Sequence, residues 1–173
     1  MNKNILVIAV ILILTFIVFA ANAGVKAPKP EDAEMYIKKG DQSGSDEEKI
    51  KLYTIAIQLN PKNAEAYYKR GFIYAIGMEY NKAVKDLSSA IQLNPTNTHY
   101  YNIRADCYYR SHNYSNAIED INKIIARDLK DRHIYLGIRG KIYYSMGEYT
   151  NAIIDLTDSL KANPNDTFDY LVR

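Results

Sequence analysis

Two hydrophobic patterns divide the chain. From Ile5 to Ala21 nearly every residue is aliphatic or Phe, and Thr15 is the one polar position. Beyond residue 30 the apolar and aromatic residues are interleaved with polar ones at helical spacing, as at Tyr67, Ile73 and Tyr74. That spacing predicts amphipathic helices. Short breaks around Gly77 and Gly147 separate them into pairs, so the body is expected to be all-α.

The first pattern reads as an export signal. Lys3 precedes the apolar run, and Ala21-Asn22-Ala23 closes it before Gly24. A charged start, an apolar middle and a small-residue exit describe a signal peptide over residues 1–23. The alternative is an uncleaved membrane anchor, because about 17–25 apolar residues can span a bilayer and residues 5–21 sit at the low edge of that range. Either reading places the body in the periplasm or outside the cell, and the membrane is met only through that run. Residues 24–30 hold two prolines and two lysines and read as a linker.

The second pattern repeats. Aligned on Asn-Pro, residues 64–97 and 98–131, and after Arg132 residues 133–166, form three units of 34 residues. They share Tyr67/Tyr101/Leu136, Arg70/Arg104/Arg139, Gly71/Ala105/Gly140 and Tyr74/Tyr108/Tyr143. Tyr80/Tyr114/Tyr149, Ala83/Ala117/Ala152 and Asp86/Asp120/Asp155 continue the match. A shorter unit precedes them over about 31–63, where AEMYIKKG parallels AEAYYKRG. The stretch TFDYLVR, residues 167–173, matches the start of a fifth. Within each unit two helices are expected. Asn63, Asn97, Asp131 and Asp166 are the capping types before the first helices; Asn81, Ser115 and Thr150 are expected to cap the second. Ser45 and Glu48 fit a capping box. Prolines 61, 95 and 164 stop the preceding helix. The small pairs Gly71 with Ala83 and Gly140 with Ala152 predict close helix crossings.

These residues resemble the tetratricopeptide repeat family, whose pattern of aromatic, small residue, Tyr, Ala, Ala and Pro is met by Tyr67, Gly71, Tyr74, Ala83, Ala90 and Pro95. Leu129 replaces the proline in the next unit, and Ile124 and Ser159 replace the second alanine. The resemblance spans about residues 31–173. It implies an all-α helix-turn-helix repeat solenoid, coiled as a right-handed superhelix of four units and a partial fifth. Such units bury their apolar faces only against their neighbours. It also implies a concave face that binds a peptide or protein segment, with no cofactor, metal or catalytic group.

Family positions place Glu65, Tyr68, Lys69, Phe72, Ile76, His99, Asn102, Asp106, Tyr109, Arg110, Ile134, Lys141, Tyr144 and Phe168 on that inner face. Tyr68, Lys69, Phe72, Asn102, Asp106, Tyr109, Arg110, Lys141 and Tyr144 are the ligand candidates. Aromatic anchors beside polar groups suit a peptide. Some family members clamp the terminal carboxylate of chaperone tails with Lys, Asn and Arg; that set is not reproduced, since Phe72, Asp106 and Lys141 share one inner position. The remaining repeated residues read as structure. Arg70, Arg104 and Arg139 each precede an aspartate by sixteen residues, namely Asp86, Asp120 and Asp155, and are expected to pair with it; Arg173 continues the ladder. The alternative is a line of guanidinium groups gripping an acidic partner.

Composition narrows the function. The formal net charge is +2, too little for a nucleic-acid stripe. Ten of the 16 tyrosines fall at repeat positions on the helix seams, Tyr36 and Tyr170 among them. Cys107, the lone cysteine, reads as a small buried hydrophobe. The three histidines lack zinc-site spacing, and no phosphate loop, nucleophile elbow or HExxH is present. The expectation is a non-catalytic scaffold for a protein or peptide partner. The alternative is self-association, for instance as a homodimer, through the end of the last repeat, where Ile153, Ile154 or Leu160 need covering.

Overall fold

The computed structural model describes residues 29–127 and 130–162. After a short 3-10 turn, Pro30–Asp32, eight α-helices follow: α1 Ala33–Gln42, α2 Asp46–Leu59, α3 Ala64–Ile76, α4 Tyr80–Leu93, α5 Thr98–Arg110, α6 Tyr114–Ile125, α7 Arg132–Met146 and α8 Tyr149–Ala162. No strand occurs among the described residues. Each helix packs against the next along the chain, both within a pair and between pairs, which is the connectivity of a helix-pair solenoid. Residues 1–23, Leu129, Pro164, Asp166, Phe168, Tyr170 and Arg173 lie outside the described residues, so the signal, the linker up to residue 28 and the partial fifth unit do too. No described helix is long and apolar enough to cross a membrane.

The small residues act where the pairs cross. A Cβ on Gly140 would stand 2.7 Å from Leu156 Cγ and 3.3 Å from the Ala152 carbonyl oxygen, and one on Gly71 would stand 3.2 Å from Leu87 Cγ. Ala83, Ala117 and Ala152 are buried opposite. Ile124 and Ser159, the departures from alanine, are also buried.

The turns explain the helix starts. Glu79 N–H donates to the Tyr74 carbonyl at 2.8 Å, Asn113 N–H to Tyr108 at 2.8 Å and Glu148 N–H to Tyr143 at 2.9 Å. This six-to-one bond, the Schellman closure, places one left-handed residue before it. That residue is Met78 (φ 60°), His112 (φ 59°) or Gly147 (φ 81°). In α3 the glycine therefore sits one position early, at Gly77 with φ −73°. The residue that closes the turn is also where the next helix begins, which leaves no room for a separate cap. α4, α6 and α8 consequently start at Tyr80, Tyr114 and Tyr149, and Asn81, Ser115 and Thr150 lie inside the first turn rather than capping it. The first helices behave differently. Asn63 accepts from Ala66 N–H and Asn97 from His99 N–H at 3.0 Å, whereas Asp131 makes no side-chain cap bond. Ser45 accepts from Glu48 N–H, but the Glu48 carboxylate takes the Ser43 hydroxyl instead of closing the box.

The arginines tie the pairs together. Arg104 donates from Nε and Nη2 to the two Asp120 oxygens at 2.8 and 2.7 Å. Arg70 meets Asp86 in the same way at 2.7 and 2.8 Å, and Arg139 meets Asp155 at 2.7 and 2.8 Å. The aspartates are buried. The remaining guanidinium nitrogen, Nη1, reaches back to the preceding pair, to Thr54 and Ser88 at 2.9 Å and to Asn122 at 2.5 Å. Each arginine thus bridges three helices. For Arg104 burial alone pulls the pKa down, but the bonds to Asp120 outweigh it and leave the pKa raised. The first pair lacks this device: there the Tyr53 hydroxyl donates to Asp41 at 2.9 Å.

Candidate functional site

α3, α5 and α7 bring six of the nine ligand candidates, Phe72, Asn102, Asp106, Tyr109, Arg110 and Lys141, into two adjoining clefts, whereas Tyr68, Lys69 and Tyr144 line neither. The larger, of about 390 Å³, lies between α5 and α7 and is lined by Asn102, Asp106, Tyr109 and Lys141 over an apolar floor of Ile103, Ala105, Ile121, Ile138 and Ile142. The second, of about 240 Å³, lies between α3 and α5 and is lined by Phe72, Ala75, Ile76, Met78, Tyr80 and Arg110. Ile103 and Asp106 line both. The larger cleft lies at the low end of the volume range of small-ligand sites, about 300–1,000 Å³, and the smaller lies below it.

The aromatic candidates differ in placement. Tyr68 is half-buried, its ring 5.0 Å from Tyr100 and 6.2 Å from Phe72. Tyr109 and Tyr144 are more open, and each leans on the first tyrosine of its own second helix, at 5.8 Å from Tyr114 and 5.6 Å from Tyr149. The Tyr109 hydroxyl lies 3.3 Å from Ser145 Oγ, so it spans the cleft mouth from α5 to α7. The charged candidates are engaged within the chain. Arg110 Nε donates to Asp106 at 2.8 Å, and this bond raises the Arg110 pKa. Lys69 lies 2.9 Å from Asp41 and 3.4 Å from Glu65; burial lowers its pKa, but the two acids outweigh burial and leave it raised. The guanidinium ladder is turned away from this groove into the helix seams. The residues that sequence reasoning missed are Ala75, Met78, Ile103, Ile121 and Ile138, on the groove, and Thr54, Ser88 and Asn122, behind it. The last three recur at intervals of 34 residues, which was the available signal, but their three different identities hide it.

Cys107 is fully buried beside Ala83 and Leu87, and burial pushes its thiol pKa up to about 11. No group of three or more His, Cys, Asp or Glu among the described residues is placed to hold a metal.

Three family models match this pattern: a TPR repeat over residues 42–77 and tetratricopeptide repeats over residues 64–97 and 135–166. Together they cover about half of the chain. The chain belongs to the tetratricopeptide repeat family. Solved structures agree on the fold. MamA superimposes with a TM-score of 0.76 at 23% identity, covering 82% of this chain and 79% of that one. A tetratricopeptide repeat protein from Parabacteroides merdae gives 0.72 at 20% identity, over 82% and 57% of the two chains. The first TPR of Spaghetti (RPAP3), bound to the HSP90 peptide SRMEEVD, gives 0.57 at 20% identity, over 62% and 85%. No curated protein matches the sequence.

Proposed function

We propose that this tetratricopeptide repeat protein is an exported, non-catalytic interaction scaffold that holds a peptide or protein segment across its concave groove. The groove carries the reading. Three equivalent positions on it carry unlike residues, Phe72, Asp106 and Lys141, and they line two adjoining clefts that share Ile103. Packing alone needs no such variety. Tyr109 and Tyr144 supply low-entropy aromatic contact area at the mouth. The apolar run 5–21 and the Ala21-Asn22-Ala23 exit support export to the periplasm or beyond; N-terminal sequencing of the mature protein from the cell envelope should start at Gly24. The groove is tested by pull-down with wild type and with a Tyr109→Ala/Tyr144→Ala double variant. Partner recovery should fall in the variant, and equal recovery would refute the groove.

One observation favours self-association as a second reading. Ile154 stands where the earlier units carry Lys51, Lys85 and Glu119, and it is 56% exposed next to Ile153 and Tyr149, both open to solvent. Leu160, by contrast, is buried. Sedimentation at rising concentration should show dimers that Ile154→Lys abolishes; a wild-type monomer throughout would remove this reading.

A further inference from the structure

We infer that two copies of this chain pair through their last helices, α8 against α8, antiparallel about a two-fold axis at Ile154, and that the assembly closes at the dimer. This rests on the self-association reading above and gives it a geometry. Ile154 lies outside the surface that a further repeat covers. Its counterparts Lys51, Lys85 and Glu119 are exposed although a complete helix pair follows each of them. Ile153 differs, because its counterparts Val84 and Ile118 are partly buried in clusters that include the next pair. A fifth unit in register would therefore cover Ile153 and leave Ile154 open, so the chain's own continuation is not the occupant. With Ile153 and Tyr149, Ile154 makes an apolar patch on the last helix, the kind of surface that marks an interaction site.

The charges around Ile154 are complementary to themselves. Glu148 and Lys161, both exposed, lie six residues before it and seven after it, about two helical turns each way. In an antiparallel pair centred on Ile154, Glu148 of one copy faces Lys161 of the other, and the two-fold axis makes that contact twice. Lys161 is peculiar to the last unit; Gln58, Gln92 and Ala126 stand there in the others. Its contact with Asp158 on the same helix, at 2.6 Å, joins two exposed groups and holds it only weakly.

The opposite end of the solenoid excludes an open chain of copies. On α5 the positions that meet the preceding pair are Ile103, Arg104 and Cys107. Their counterparts on α1 are Lys38, Lys39 and Gln42, all exposed. Setting those ammonium groups on Ile153 and Ile154 would desolvate charge against hydrocarbon. The apolar end therefore finds its match in itself, and an isologous contact of that kind is complete with two copies.

The test is sedimentation of the purified chain over rising concentration at low ionic strength, where exposed charges are least screened. Wild type should pass from monomer to dimer and no further. Glu148→Lys and Lys161→Glu, each alone, turn both contacts repulsive and should weaken dimerisation on the order of tenfold, with helix content unchanged by circular dichroism. An equimolar mixture of the two variants should restore it, because the mixed pair sets opposite charges together at both contacts. Dimers that neither reversal weakens, or that the mixture fails to restore, would overturn the α8 geometry and leave self-association standing. Assembly beyond the dimer would overturn the closure. A wild-type monomer at every concentration would overturn the self-association reading and this inference together.

Discussion

The first helices show two different faces. On the seam side, position seven of the repeat is Arg70, Arg104 and Arg139, each gripping an aspartate of its own pair and a polar group of the pair before. On the groove side, the fifth position is Tyr68, Asn102 and Gly137, and the ninth is Phe72, Asp106 and Lys141. The same three helices therefore carry one face that is copied and one that is not. A side chain that touches only neighbouring units meets the same surroundings each time and can be the same residue. A side chain that faces a ligand meets a different part of it in every unit. Repetition marks contacts that the solenoid needs to stand; on the groove side, under the proposed function, its absence marks what a partner reads.

This contrast can be broken at the seam first. Arg104→Ala leaves the buried Asp120 carboxylate without its bidentate partner and should cost about 3–5 kcal/mol, read by urea unfolding. Arg104→Lys should recover part of that loss, because an ammonium cannot reproduce the fork that serves Asp120 and Ser88 together. Equal stability of Arg104→Lys and wild type would refute the three-helix bridge. Next in size is Gly140→Ala. The added methyl meets Leu156 Cγ at 2.7 Å, and overpacking of this kind costs about 1–3 kcal/mol, which outweighs the helix-propensity gain of about 1 kcal/mol. Gly71→Ala, with 3.2 Å of room, should cost less; a reversed order in thermal melts would contradict the crossing geometry.

Smaller effects sharpen the turns and the core. Met78→Gly should stabilise by about 0.5–1 kcal/mol, because it relieves a left-handed backbone that side chains disfavour; no gain in melting temperature would count against the Schellman closure. Cys107 should resist alkylation in the folded chain near pH 8 and react on unfolding. Its folded pKa, about 11, lies above the roughly 8.5 of a free thiol. Below that value the thiol is neutral in both states and the shift is silent. Between the two the unfolded chain sheds its proton first, so stability declines as pH rises. The slope should shrink in Cys107→Ala, and what remains at its upper end belongs to Tyr53 and Tyr100, whose pKa values are also raised by burial.

Much of the architecture was legible in the residues. The pairing of Arg70 with Asp86 followed from a separation of sixteen that recurs three times, and the tight crossings from glycine facing alanine. The helix starts were not legible, because Asn81, Ser115 and Thr150 have capping chemistry while the backbone closure at Glu79, Asn113 and Glu148 takes the capping position first. Nor were the acceptors Thr54, Ser88 and Asn122, whose common role is to receive one N–H, which any small polar side chain performs. The groove candidates came from family register. The meeting of six of the nine in two clefts depends on how α3, α5 and α7 stack, which no spacing within one helix encodes.

The division between the two faces is tested most directly by measuring urea unfolding of Ser88→Ala and Asn102→Ala side by side. Ser88 takes the Arg104 Nη1 bond, and its loss should cost about 1 kcal/mol. Asn102 has no partner among the described residues, and its loss should leave stability within about 0.5 kcal/mol of wild type. A larger cost at Asn102 than at Ser88 would contradict the account.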